Sequence, residues 1–307
     1  MAFSSQQQMA GATDVLFEPS VGHFWSLLKP RVMSLVVFTG FAGMYVAPGS
    51  LHPLVFTIAL FAIAAGAGAS GAINQWYDRD IDAVMKRTKA RPIPAGFVAP
   101  AEALTLGLVV SAISVLLLGL STNWLAASLL AFTIFFYAVV YTVWLKRRTP
   151  QNIVIGGAAG AFPPMIGWTA VTGAFSIEPI LLFAIIFMWT PPHFWALALV
   201  KNDDYKRASI PMLPVIAGAA ETRRQIVIYT VLMAPLAVVP SLIGMASFSY
   251  GIIAGLAGMI FVGLSVKLWR DGSDKTAMQI FGYSILYLFL VFLGLVIDRF
   301  VAGWAGV

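Results

Sequence analysis

The stretch NQWYDRDIDAVMKRTKARPIPAG, residues 74–96, is highly charged and directly follows an apolar run. It contains three carboxylates and five cations, although only 10% of the 307 residues are charged and 60% are hydrophobic. The preceding run, at about 54–76, is long enough to cross the roughly 30 Å hydrocarbon core of a bilayer. The charged stretch therefore begins where a membrane-spanning segment ends.

Apolar runs of similar length recur along the whole chain, and its mean hydropathy is +0.87. Because backbone polar groups in lipid must be hydrogen-bonded within their own segment, we expect these runs to be helices. The pattern predicts an all-α polytopic membrane protein with nine transmembrane helices. They are expected at about 32–50, 54–76, 101–121, 124–145, 152–172, 178–200, 225–246, 249–266 and 277–297.

The basic residues predict the orientation of these helices. Eighteen of the nineteen Lys and Arg residues fall on one side of the predicted spans, and only Arg299 falls on the other. The positive-inside rule then places the N-terminus in the cytoplasm and the C-terminus outside. Topology thus accounts for the sequence pI of 9.6 without a nucleic-acid partner. The absence of Cys excludes disulfides, thiolate catalysis and Cys-ligated metals.

The domain organisation follows from the same pattern. Residues 1–22 are polar and lack a basic start and an apolar core, so they predict a flexible cytoplasmic tail rather than a signal peptide. Residues 23–307 form a single transmembrane domain. On the charged side, the loops after spans 2, 4, 6 and 8 are long, short, long and short. This alternation suggests two pseudo-repeated four-helix units plus one further helix, with a central site between the two units.

Asn74, Asp78 and Asp82 follow each other at four-residue intervals. On a helix that continues from the second span, each step turns only about 40° around the axis, so the three share one face. Asp80 points away from this face. A hard divalent cation such as Mg²⁺ relieves the repulsion between two neighbouring carboxylates, and it commonly bridges carboxylates and substrate phosphates. The amide of Asn74 would add a neutral oxygen ligand.

A group of cations follows directly, and it offers donors suited to phosphate oxygens. Its members are Lys86, Arg87, Lys89 and Arg91. The alternative interpretation is an ordinary solvated loop whose carboxylates offset the positive-inside cations. The regular acidic spacing at a membrane boundary, with bases directly behind it, favours a metal-diphosphate site.

The same stretch resembles the first aspartate-rich motif of the UbiA-type intramembrane prenyltransferases. The motif is N-x-x-x-D-x-x-x-D, then M-x-R-T-x-x-R and Gly, carried by Asn74, Asp78, Asp82, Met85, Arg87, Thr88, Arg91 and Gly96. Further segments resemble the heme O synthase subgroup of that family. They are LLKPRV (27–32), YTVWLKRRTPQN (141–152), TPPHFWALAL (190–199) and DYKRASIPMLPV (204–215).

The resemblance implies a helical bundle around a central cavity that opens to the cytoplasmic side, in the cell inner (plasma) membrane. It also implies Mg²⁺-dependent transfer of the farnesyl group of farnesyl diphosphate to a vinyl carbon of heme b, with addition of water. The expected partners are those two substrates and the lipid bilayer. A downstream heme-modifying enzyme is a further candidate partner.

The second acidic motif of the family, D-x-x-x-D, is incomplete here. Asp204 is followed four residues later by Ala208, and Asp203 by Arg207. The resemblance implies that the heme subgroup keeps only the Asp-Tyr part of this motif. We therefore take Asp204 as a fourth candidate ligand and Arg207 as a candidate diphosphate contact.

Three further residues are candidates with a simpler alternative. Lys146 and Arg147 close the fourth span, where topology alone would place cations, and the resemblance of their segment suggests contact with diphosphate. His193 lies inside the sixth span, where an ionisable group is a candidate functional residue. Its imidazole could bind substrate or ligate heme iron, or it could form a structural hydrogen bond between helices.

Other functions stay open. A related prenyltransferase could use an aromatic acid or a chlorin as acceptor. A secondary transporter would normally carry its coupling site near the bilayer midplane, whereas the acids here gather at one face. A heme carrier without catalysis is a further alternative. The run GAGASG (66–71) matches G-x-G-x-x-G but lies within an apolar helix, so it favours close helix packing over dinucleotide binding.

Overall fold

The computed structural model describes residues 18–305, with side chains to residue 303, and in this part of the chain all regular structure is helical. Residues 1–17, most of the predicted tail, lie outside the described residues. The first helices of the bundle are α1 (Val21–Leu27), α2 (Pro30–Val46), α3 (Pro53–Tyr77), α4 (Arg79–Val84), α5 (Pro100–Ser121) and α6 (Trp124–Phe135). α6 continues without a break into a π-helical segment, Phe136–Leu145.

The second part of the chain begins with two long helices and ends with two more. Its helices are α7 (Asn152–Thr172), α8 (Ile177–Val200), α9 (Asn202–Arg207), α10 (Leu213–Ile216), α11 (Gly218–Leu236), α12 (Val239–Leu242), α13 (Phe248–Asp271) and α14 (Asp274–Ala305). Proline occupies the first turn of α2, α3 and α5, where its missing N–H costs nothing and its fixed φ suits a helix start.

Eight spans in the described residues are long and apolar enough to cross a membrane. A ninth results if α1 and α2, which meet at 54°, form one broken span. The prediction of an all-α polytopic membrane protein is therefore confirmed. α11 continues through α12 as a single span, Gly218–Leu242, which begins earlier than the predicted 225–246.

The long helices form a ring in which each spanning helix packs against the next. α14 closes the ring by packing on α2, and it also contacts α8. α2 and α7, which begin the two predicted four-helix units, pack directly against each other across the middle. The backbones of the two helices come into direct contact at Gly43. A Cβ at this position would lie 2.1 Å from the carbonyl oxygen of Pro164, so only glycine fits there.

The two long loops on the charged side are packed together by a small apolar cluster. Ile81 and Met85 of the first loop are buried in it with Tyr205, Ile210 and Met212 of the second. Because burying such side chains removes apolar surface from water, the cluster fixes α4 against α9. Two segments more than a hundred residues apart in sequence therefore meet at one end of the bundle.

Candidate active site

Asn74, Asp78 and Asp82 are all buried, with 3%, 0% and 2% of their surface exposed. α3 ends at Tyr77, but helical hydrogen bonds continue across the junction with α4. The backbone N–H of Asp78 donates to the carbonyl of Asn74 (2.9 Å), and that of Asp82 to the carbonyl of Asp78 (2.8 Å). The three residues thus keep the four-residue helical spacing. We call them the acidic cluster.

Hydrogen bonds fix the orientation of the Asn74 amide. Lys29 Nζ donates to Asn74 Oδ1 (2.7 Å), and Asn74 Nδ2 donates to Asp78 Oδ2 (2.7 Å) and to Thr142 Oγ1 (3.1 Å). An ammonium can only donate and an ionised carboxylate can only accept, so the amide cannot be reversed. The amide oxygen expected to face a metal is therefore engaged by Lys29.

Asp78 is fully buried and lies between two cations. Lys146 Nζ hydrogen-bonds to Asp78 Oδ2, and Arg147 Nη2 lies 3.5 Å from Asp78 Oδ1. Asp78 Oδ1 accepts no hydrogen bond from any residue that the structure describes, although such buried oxygens usually do. This carboxylate oxygen therefore retains lone pairs for a further ligand.

Asp82 is held by residues that follow it in the loop. Arg91 Nη1 donates to Asp82 Oδ2 (2.6 Å), and Thr88 Oγ1 donates to the backbone carbonyl of Asp82 (3.0 Å). Thr88 is buried, and Arg91 keeps 24% of its side chain exposed. Two residues of the sequence motif thus serve to position Asp82.

Asp80 lies on the opposite side, as expected from the helical spacing, and 61% of its side chain is exposed. Its two oxygens accept hydrogen bonds from Arg147 Nη1 (2.7 Å) and Nη2 (2.6 Å). These bonds hold the pKa of the Asp80 carboxyl below its ordinary value. Asp80 and Arg147 line an open groove of about 390 Å³ with Trp76, Tyr77 and Arg79.

Asp204 comes to the same end of the bundle through α9. It is buried and paired with Arg207, whereas Asp203 is exposed. The neighbouring Tyr205 is buried in the same apolar cluster as Ile81, which directly precedes Asp82. Among the described side chains, however, no three His, Asp or Glu residues lie close enough to hold one metal ion. Asp204 is therefore near the acidic cluster without forming a single ligand group with Asp78 and Asp82.

The remaining basic candidates of the first loop, Arg87 and Lys89, are exposed. Arg87 lies two residues after Met85, which is buried in the apolar cluster at this end of the molecule. Neither residue forms an ion pair within the part of the chain that the structure describes. Their guanidinium and ammonium groups are available to an anion that approaches from solvent.

The π-helical segment contributes residues that the sequence did not suggest. The N–H of Lys146 donates to the carbonyl of Tyr141 (2.8 Å), and Thr142 Oγ1 donates to the carbonyl of Tyr137 (2.8 Å). The extra residue in each turn changes the direction of the side chains relative to an α-helix, and such segments often occur at functional sites. Tyr137 and Tyr141 belong to the same segment, and their ring centroids lie 5.4 Å apart.

His193 has a different environment. Its Nδ1 is hydrogen-bonded to Ser284 Oγ of α14 (2.6 Å), and its ring stacks on Trp189 (4.3 Å) and Phe281 (4.6 Å). Trp189 also donates to the carbonyl of Ser284 (2.7 Å). The described contacts of His193 link α8 to α14, and none of them reaches the acidic cluster.

The donor set suits a hard divalent cation. The cluster offers carboxylate and amide oxygens only, which are the ligands that Mg²⁺ takes in proteins. Asp78 Oδ1 accepts no hydrogen bond from the described residues and lies 3.5 Å from Arg147 Nη2, so it is the oxygen most directly available. Asn74 Oδ1, Asp78 Oδ2 and Asp82 Oδ2 are each bonded to a cation of this chain, which would have to move away when a metal binds.

The sequence of this chain matches a known family. Residues 36–296 match the profile of the UbiA prenyltransferase family. The chain is 62% identical to the protoheme IX farnesyltransferase of Rhizobium johnstonii. The alignment spans 288 residues and covers 92% of this chain and 91% of that relative. It is also 56% identical to protoheme IX farnesyltransferase 2 of Mesorhizobium japonicum. That alignment spans 305 residues and covers 98% of this chain and 97% of the relative.

Solved structures support the same fold at low sequence identity. A UbiA homolog from Aeropyrum pernix gives a TM-score of 0.71 at 18% identity, covering 87% of this chain and 98% of that one. A UbiA homolog from Archaeoglobus fulgidus bound to DMAPP and Mg²⁺ gives a TM-score of 0.66 at 17% identity. The match covers 89% of this chain and 99% of that one. A digeranylgeranylglyceryl phosphate synthase gives a TM-score of 0.76 at 16% identity. The match covers 91% of this chain and 98% of that one.

Proposed function

Because this chain belongs to the UbiA prenyltransferase family, we propose that it transfers the farnesyl group of farnesyl diphosphate to a vinyl group of heme b. Water adds in the same reaction, and heme o and diphosphate are the products. Relatives named protoheme IX farnesyltransferase at 56–62% identity support this choice of substrates. The observation that carries the proposal is the buried acidic cluster with a cation beside each member.

The cations of this chain bind and orient the diphosphate. Lys146, Arg147 and Arg91 surround the cluster, and Arg87, Lys89 and Arg207 are exposed around it. Their hydrogen bonds to phosphate oxygens strengthen as negative charge grows on the leaving group. Mg²⁺ held by Asn74, Asp78 and Asp82, and separately by Asp204 of the second loop, would add further stabilisation of that charge.

The bond changes follow from the substrates. The bond between farnesyl C1 and the diphosphate oxygen breaks, and its electron pair leaves with the diphosphate. The terminal vinyl carbon of heme b bonds to farnesyl C1, and the positive charge moves to the inner vinyl carbon. Water adds there and loses a proton. Tyr137 and Tyr141 belong to the π-helical segment that supplies Thr142 and leads to Lys146, and aromatic faces presented there would stabilise an allylic cation.

The site works at a membrane boundary. We place this end of the bundle in the cytoplasm, in the cell inner membrane, with the C-terminus outside, because the basic residues gather on one side of the spans. Residues 23–307 act as one prenyltransferase domain, and residues 1–22 as a cytoplasmic tail. We expect the farnesyl chain and the porphyrin to bind in a cavity between the helices that opens at this end of the bundle.

The test is an acceptor assay on membranes that contain the protein. Heme b, farnesyl diphosphate and Mg²⁺ should give a hydroxyethylfarnesyl heme by mass spectrometry. Parallel reactions with 4-hydroxybenzoate or a chlorin as acceptor should give no prenylated product. Product only from such an acceptor would assign a related prenyltransferase activity instead. Substrate counterflow in proteoliposomes without any covalent product would indicate a transporter, and heme binding without turnover a carrier.

A further inference from the structure

Lys29 joins α1 to α2 in a backbone conformation that is uncommon for its residue type. Its φ is +53°, in the left-handed region that side chains other than glycine seldom adopt. Such conformations cluster at functional sites, where the surrounding structure holds them in place. The ammonium of this residue donates to the amide oxygen of Asn74 (2.7 Å).

α3 holds the Lys29 segment from two sides. Gln75 Nε2 donates to the carbonyl of Leu27 (2.8 Å), and both residues are buried. Gly71 lies under the lysine stem, because a Cβ at this position would be 3.3 Å from Lys29 Cδ. The small residue lets the stem pass along α3 and reach Asn74, one helical turn further. The position of the ammonium is therefore determined by α3 as well as by α2.

The acidic cluster shows a regular pattern of pairing. Asn74 is paired with Lys29, Asp78 with Lys146, and Asp82 with Arg91, and the three cations come from three separate segments. Lys29 also interacts electrostatically with the charged members of these pairs, which are Asp78, Asp82, Arg91 and Lys146. When all three are protonated, these cations exceed the two carboxylates by one positive charge, and this suits the group to an anion.

We propose that Lys29 is a diphosphate-binding residue that exchanges partners. Without metal, its ammonium holds the Asn74 amide oxygen and occupies the place that a metal ion would take. When the metal and the diphosphate bind, the ammonium moves to a phosphate oxygen, and the amide oxygen becomes free. A flexible four-carbon stem and three donors suit such an exchange. The inference rests on the proposed function for the identity of the anion.

The experiment compares Lys29→Met with the wild-type protein in detergent. Electron paramagnetic resonance measures Mn²⁺ binding without any substrate, and steady-state kinetics measures KM for farnesyl diphosphate and for heme b. Loss of the competing ammonium should tighten Mn²⁺ binding several-fold. Loss of a charged donor should raise KM for farnesyl diphosphate about tenfold and leave KM for heme b unchanged.

Two further variants separate binding from folding. Lys29→Arg retains the charge and should keep KM for farnesyl diphosphate within about threefold of the wild type. Lys29→Gln retains a donor to Asn74 without charge, so it should raise KM for farnesyl diphosphate and change Mn²⁺ binding little. It carries the KM part of the test if the Met variant does not fold. Lys275→Met removes an exposed lysine in the first turn of α14 and should change neither quantity.

Unchanged or weaker Mn²⁺ binding in folded Lys29→Met, or an unchanged KM for farnesyl diphosphate in folded Lys29→Met or Lys29→Gln, would overturn the inference. The proposed function would then stand if the wild type still makes heme o. Conversely, a wild type that makes no prenylated heme, but whose Mn²⁺ binding tightens in Lys29→Met, would leave the metal-competition step intact and reject the farnesyl-transfer proposal.

Discussion

The two long loops at the charged end differ in how their acidic residues are paired. In the first loop, Asp78 is paired with Lys146, which lies 68 residues away and belongs to another element. In the second, Asp204 is paired with Arg207 on the same short helix. A buried carboxylate held by distant residues needs the whole bundle to be assembled, whereas the second pair needs only one helical turn.

This difference indicates how much each loop contributes to stabilising the transition state. A buried charge is costly unless it is paired, so the several cations around Asp78 compensate for burying a strong negative charge. The arrangement keeps a fully buried carboxylate ready for a metal ion. Asp204 is less enclosed, since the Arg207 beside it keeps 44% of its side chain exposed. We therefore expect the first loop to carry most of the transition-state stabilisation and the second to assist.

The sharpest test of this division is Asp78→Asn, for which we expect the largest effect. The substitution keeps the shape but removes the charge that would hold the metal and that pairs with Lys146. We expect kcat/KM for farnesyl diphosphate to fall at least about 100-fold. Thermal unfolding in detergent checks that the variant still folds. Activity within tenfold of the wild type would show that this carboxylate is not a metal ligand.

A smaller effect is expected in the second loop. Asp204→Asn should lower kcat/KM about tenfold, because it removes a peripheral carboxylate without disturbing the acidic cluster. Asp203→Asn is the matched control, since Asp203 is exposed and adjacent, and its activity should stay within about twofold. If Asp204→Asn proves as damaging as Asp78→Asn, the two loops contribute equally and the proposed division is wrong.

Much of the first loop could be predicted from sequence because its geometry is local. The four-residue spacing of Asn74, Asp78 and Asp82 is enough to place them on one side of a helix and Asp80 on the other. The membrane-spanning segments could be predicted equally well, since length and hydropathy determine which segments cross a bilayer. Both inferences need only neighbouring residues and regular helix geometry.

The partners of the cluster could not be predicted in the same way. Lys29 is 45 residues from Asn74, and Thr142 is 68 residues from it. Which distant side chains meet depends on helix rotation and close packing, and neither follows from hydropathy. The π-helical register before Lys146 is also invisible to a pattern with a period of 3.6 residues. The one available signal for Lys29 was its place in the LLKPRV segment, which resembles the heme subgroup.

Thr142→Val tests whether this distant support matters. The substitution keeps the shape but removes the oxygen that accepts from Asn74 Nδ2 (3.1 Å). One hydrogen bond of this kind contributes about 1 kcal/mol, so kcat/KM for farnesyl diphosphate should fall about fivefold. Thr133→Val is a suitable control, because Thr133 is a buried threonine of α6 that donates only within its own helix. Equal effects of both substitutions would indicate general destabilisation instead of a role in the cluster.

The smallest effect is expected at Asp80, which shares the first loop but lies outside the acidic cluster. Asp80→Asn weakens an ion pair whose carboxylate is 61% exposed, and such pairs contribute at most about 1 kcal/mol. Activity should therefore stay within about threefold of the wild type, and the unfolding temperature should barely change. Both quantities can be measured beside Asp78→Asn in the same membrane preparation. A loss from Asp80→Asn comparable with that from Asp78→Asn would show that the outer groove, and not the buried face of α3 and α4, binds the metal and diphosphate.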